Sequence, residues 1–112
     1  MSVTKMPLLD FKEVFMEKKR NDVTVIPLSG ELDHHTAAAL RKKLDRLIST
    51  SHAGVVLDFS EVTLMDSSGI GLIIGRYKKL QEKGRPLYVK NLNRQIDKVF
   101  KISGLYRIIK RI

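Results

Sequence analysis

Gly54 is followed by Val55-Val56-Leu57-Asp58-Phe59, a run without alternation between apolar and polar residues. Successive side chains of a strand point to opposite faces, so such a run needs cover on both. Strands of this kind belong to parallel sheets packed under helices. Asp58 falls near the end of the run, where the chain leaves the interior.

The segments on either side fit that frame. Val23-Thr24-Val25-Ile26 is β-branched and predicts a strand, with Pro27 on an edge or at a bulge because it lacks an N–H. Ser29-Gly30 is the expected end of that strand. Thr36 to Ser49 predicts a helix whose Leu40, Leu44, Leu47 and Ile48 share a face. Ser60 to Asp66 reads as a loop. A second helix is expected from Ser67 to Lys83, with Gly84 as its stop and Ile70, Ile73, Ile74, Tyr77 and Leu80 as its apolar stripe. Pro86 to Lys90 reads as a short strand, Asn93 as the cap of a helix over Arg94 to Ile102, and Ser103-Gly104 as its end. Leu105 to Ile112 predicts a last strand or a turn followed by one. Residues 10–19 fit either strand or helix, and 20–22 read as a turn. Strand and helix alternate from residue 23 onward, which predicts an α/β domain with helices on a mostly parallel sheet.

A chain of 112 residues suits a single domain over 1–112. It has no cysteine, so disulfides and thiolate metal sites are excluded. Neither a signal-peptide run nor a span of the ~20 apolar residues a membrane helix needs is visible. A cytoplasmic protein without a membrane partner is the expectation. The net charge of +9 is unevenly placed. Residues 1–75 sum to −1, and residues 76–112, with Glu82 and Asp97 as their acids, sum to +10. A basic patch of this kind can meet nucleic acid, an anionic membrane surface or an acidic protein, or can simply solubilise the fold.

Asp66-Ser67-Ser68-Gly69-Ile70-Gly71 lies where the buried strand hands over to the second helix. Helix N-termini present unpaired N–H groups and a positive dipole end, so a phosphoryl group on Ser67 would be tolerated there. Gly69 and Gly71 keep the first turn free of large side chains, so that a partner can approach the backbone. Asp66 and Ser67 are equally good helix caps, and capping alone accounts for the bare residues. A nucleophilic serine would need a base; the histidines are His34, His35 and His52, and no elbow motif surrounds the serine. The glycines from Gly69 to Gly75 imitate a dinucleotide fingerprint, but they fall inside the helix and no acidic residue ends the next strand. His34-His35 beside Asp33 lacks a third metal ligand. No cofactor and no metal are therefore expected.

Gly30-Glu31-Leu32-Asp33-His34-His35-Thr36-Ala37, Met65-Asp66-Ser67-Ser68-Gly69-Ile70-Gly71, Gly75-Arg76-Tyr77-Lys78 and Ser103-Gly104-Leu105 together resemble the anti-sigma factor antagonists of the STAS domain family. The resemblance spans Val23 to Ile109, and the first and third segments are most similar to its sporulation members. It implies a four- to five-stranded mixed sheet with helices mainly on one face. It also implies a binding protein and not an enzyme. Its partners would be an anti-sigma factor with serine-kinase activity, which phosphorylates Ser67, and a serine phosphatase that restores it. Asp33, Asp66, Ser67, Ser68, Gly69, Ile70 and Gly71 would meet the partner. Two departures stand out. Residues 1–9 form a longer lead, expected to be poorly ordered, and the family's C-terminal helix is not recognisable. A STAS module of a stress-signalling or transporter system is the alternative. Direct nucleic-acid binding by Arg94, Lys98 and Lys101 is disfavoured, since no aromatic platform accompanies them.

Overall fold

The computed structural model describes residues 3–5 and 23–112. The ambiguous stretch 10–19 and the turn at 20–22 lie outside them. Among the described residues, five strands and three helices follow one another: β1 (Val3–Lys5), β2 (Val23–Leu32), α1 (Ala37–Thr50), β3 (Gly54–Met65), α2 (Ser67–Glu82), β4 (Leu87–Lys90), α3 (Arg94–Ser103) and β5 (Lys110–Arg111), with a 3₁₀ turn at Leu105–Arg107. Of the lead, residues 3–5 form the outermost strand.

The strands lie in sequence order, β1-β2-β3-β4-β5. Every pairing among the described residues is parallel, where a mixed sheet was expected. The reason is the connections: α1, α2 and α3 each carry the chain back along the sheet, so the next strand starts from the same end. Right-handed crossovers that always advance in one direction also keep their helices on one face. Accordingly Ile26, Leu57, Phe59 and Val89 of the sheet share a core with Leu44 and Leu47 of α1, Ile73 and Leu80 of α2, and Ile96 and Phe100 of α3. Phe59 and Phe100 meet edge to face, with ring centres 5.7 Å apart. The alternate positions Val23, Val25 and Val56 form a second buried cluster with Tyr88.

Two expected ends move. β2 continues past Ser29-Gly30 to Leu32, and β3 continues through the stretch read as a loop, 60–66, as far as Met65. The pairing resumes as Ser29↔Glu61, Gly30↔Val62, Glu31↔Leu64 and Leu32↔Met65 after register shifts at Pro27/Ser29 and Gly30/Glu31. Bulges take up the missing N–H of Pro27 and the positive φ of Gly30, 79°, without ending the ladder. Val62 and Met65 reach the core, while Ser60, Glu61, Thr63 and Leu64 face outward, which is what made the segment read as polar loop.

Candidate functional site

The extension of β2 and β3 decides where the site is. Leu32 and Met65 are register partners, so residues 33 and 66 leave the same edge of the sheet on neighbouring strands. The Asp66 N–H donates to the Leu32 carbonyl at 3.2 Å, a last rung joining the strands. Both chains then enter helices, and the N-termini of α1 and α2 lie side by side.

Each entry is held by an aspartate. Asp66 is extended, with its Oδ1 accepting the N–H of Ser68 at 2.8 Å and of Gly69 at 3.4 Å. Asp33 Oδ1 accepts the N–H of His35 at 2.9 Å and of Thr36 at 3.1 Å. Thr36 completes this knot by donating its hydroxyl to the Glu31 carbonyl at 2.6 Å and accepting the Asp33 N–H at 3.1 Å. Desolvation raises the Asp33 carboxyl, but the backbone donors of Thr36 and His35 prevail and hold it below the ordinary value. Thr36 was not among the sequence candidates. A hydroxyl residue three positions after an aspartate at a helix entry is the signal for it.

Ser67 is the first residue of α2 and is exposed. Among the described residues its hydroxyl makes no hydrogen bond, because the capping falls to Asp66. Of the two candidate caps that the bare sequence left open, the structure takes Asp66. Ser68 is half-buried and Ile70 packs partly against the core. Gly71 is exposed, and a Cβ there would meet open space. Gly69 behaves differently. It is buried, and a Cβ on it would lie 2.7 Å from the Leu32 carbonyl oxygen and collide with Met65 Cγ. Its place is under the site, where it lets α2 sit down on the strand ends.

A groove of about 500 Å³ runs between the helices from this edge, lined among others by His34, Ala38, Arg41, Ser68, Gly71 and Arg76. Arg76 is only 5% exposed, and its Nε lies 3.0 Å from Asp45 Oδ1 on α1. Lys79 reaches the other oxygen of Asp45 at 3.3 Å. Burial lowers the guanidinium's pKa, which Asp45 partly restores. This pair ties α1 to α2 behind the Ser67 edge. Its sequence signal was an arginine one residue before Tyr77 in the apolar stripe.

A ladder of parallel strands under helices on one face, with an exposed serine beginning a helix beside a second capped helix start, is the architecture of a STAS domain. The profile of that family matches residues 15–112, and the chain belongs to it. It is 38% identical to the anti-sigma F factor antagonist of Paenibacillus polymyxa over 98 residues, 87% of this chain and 83% of that protein. Among solved structures it is similar to the anti-sigma factor antagonist SpoIIAA in its unphosphorylated form, with 31% identity, a TM-score of 0.69 and coverage of 85% of this chain and 84% of that one. The Bacillus cell fate determinant SpoIIAA in the phosphorylated form superposes with a TM-score of 0.62 at 31% identity, over 85% of this chain and 86% of that one.

Proposed function

We propose that this chain is an anti-sigma factor antagonist switched by phosphorylation of Ser67. The unphosphorylated form binds an anti-sigma factor that is also a serine kinase and so frees the sigma factor. The kinase transfers a phosphoryl group to Ser67, the complex dissociates, and a serine phosphatase resets the cycle. The antagonist catalyses none of these steps. It acts in the cytoplasm, where its proposed partners work.

The observation that carries this reading is the Ser67 hydroxyl, exposed and, among the described residues, without a hydrogen bond at the first residue of α2 while Asp66 performs the capping. A phosphoserine adds about −1.5 to −2 charges at neutral pH. The helix dipole stabilises it within its own domain, so the fold need not change. Across an interface the balance is different. Two like charges ~4 Å apart at an effective dielectric of ~20 repel by ~4 kcal/mol, about a thousandfold in affinity. Asp66, next in the chain, adds to the negative field. Asp33, Ser68, Ile70 and Gly71 complete the surface around the serine, and Gly69 sets its height from below.

The test is incubation with ATP and the purified anti-sigma F factor of Paenibacillus polymyxa, followed by phosphosite mapping and a pull-down. Label on Ser67, and a Ser67→Glu variant that keeps its circular dichroism but loses the partner, is the expected result. Label on Ser68 alone, or full binding by Ser67→Glu, would overturn the assignment.

A further inference from the structure

Three cations near the end of the chain, Lys101, Arg107 and Lys110, lie away from Ser67, at the opposite edge of the sheet. Crossover helices in a parallel sheet begin at the carboxyl ends of strands and finish at the amino ends. Ser67 opens α2 at the carboxyl end of β3, whereas α3 finishes at Ser103 and the 3₁₀ turn leads into β5 at the opposite edge. Lys101, Arg107 and Lys110 stand exposed around that far edge.

Among the described residues, Lys101 is the one member of this group with a carboxylate partner. Asp97 is the sole acid after Glu82. Its Oδ1 accepts from Tyr106 Oη at 2.6 Å and Arg111 Nη1 at 2.9 Å, and its Oδ2 takes Lys101 Nζ at 3.1 Å. Among the described residues, Arg107 and Lys110 have no carboxylate partner. Beside these cations stand two of the most exposed large apolar side chains, Ile102 at 77% and Ile108 at 43%. Lys101, Arg107, Ile108 and Lys110 line one shallow hollow of about 460 Å³, and Ile102 directly follows Lys101.

We infer that this end of the molecule is a contact for an anionic membrane surface: Ile102 and Ile108 enter the headgroup boundary while Lys101, Arg107 and Lys110 meet lipid phosphates. Ile108, exposed among Lys101, Arg107 and Lys110, and Ile102, exposed at the end of the neighbouring helix, match a yielding apolar phase under a negative surface. A purely acidic protein segment or a nucleic acid would meet the cations but give the isoleucines no apolar counterpart. The contact is a weak, reversible attachment to one leaflet and not a span. It departs from the expectation of no membrane partner, which rested on the lack of a spanning run. Because Ser67 occupies the other edge, attachment is compatible with either phosphorylation state. The inference stands apart from the switch itself.

Vesicle co-sedimentation of the full chain tests it, with phosphatidylcholine alone and with an equal mixture of phosphatidylcholine and phosphatidylglycerol, across a salt series. Binding to the mixed vesicles alone is expected. Ile102→Ser with Ile108→Ser should weaken it about tenfold, and Arg107→Glu with Lys110→Glu should abolish it, with unchanged circular dichroism in both. Ser67→Glu should bind like wild type. No binding to mixed vesicles at low salt overturns the inference. So does binding that the isoleucine variant leaves intact, which would mark a general polyanion surface. Tighter binding to duplex DNA or to a polyglutamate peptide than to the mixed vesicles would do the same, by assigning the face to another class of partner.

Discussion

The Asp66 N–H is bonded to the Leu32 carbonyl at 3.2 Å, and that single rung is what sets the two helix entries next to one another. It closes the β2–β3 ladder one residue before the serine. The position of Ser67 depends on how firmly these strand ends are held.

Gly69 packs against the same Leu32 carbonyl. Gly69→Ala should destabilise the domain by about 1–3 kcal/mol, because the added methyl meets backbone and buried Met65. Gly71→Ala, two residues on, should stabilise it by about 0.5–1 kcal/mol, since its Cβ would enter open space on a helix. Urea denaturation of the two variants measures the contrast, which vanishes if the glycines are equivalent.

Removing the cap is milder. Asp66→Ala should cost about 1 kcal/mol, the usual value for a lost helix cap, and Asp66→Asn less, since an amide oxygen can still accept from Ser68 and Gly69. Thermal unfolding distinguishes them. Equal losses in both variants would point to the charge rather than the hydrogen bonds.

The Arg76–Asp45 pair invites a double-mutant cycle. Asp45→Ala leaves a buried guanidinium facing Arg41 without its carboxylate, and a loss of about 2 kcal/mol is expected, below that of a wholly buried pair because Asp45 is partly wet. Replacing both residues by leucine should recover most of this. Failure of the double variant to recover would show that the pair, rather than the burial, matters.

Tyr106 and Asp97 give a pH signature. Burial, and then the bond to Asp97, raises the Tyr106 phenol from 10.0 to about 12. The protonated phenol is therefore favoured by folding, so stability should be full below pH 10 and fall between about 10 and 12. Asp97 is depressed, first by the Tyr106 hydroxyl and then by Lys101. Its contribution is present above the ordinary carboxylate range and is lost as pH falls through the lowered value. Tyr106→Phe should remove the alkaline limb and move the Asp97 carboxyl up, both measurable by titration followed with NMR. An unchanged alkaline limb would exclude Tyr106 as its source.

How much of this could be read beforehand follows the strength of local signals. The helix over Ser67 to Glu82, the Asn93 cap and the stop at Gly84, with φ of 68°, rest on caps and periodicity and were legible. The ends of β2 and β3 were not. Pro27, Ser29, Gly30 and Ser60 are strand-breaking choices locally, and only pairing between distant segments, with its bulges, overrides them. The serine was legible as a residue, but its freedom from capping depended on which carboxylate took the helix N–H groups. The knot of Thr36 on Asp33 and the tie between Asp45 and Arg76 are likewise matters of tertiary distance.

β3 spans the domain from the amino edge of the sheet at Gly54 to the carboxyl edge at Met65, where Ser67 follows. It works as a rigid spacer between two surfaces that share no side chain. Residues at one edge can therefore change without remodelling the other, so that what each edge contacts can vary independently.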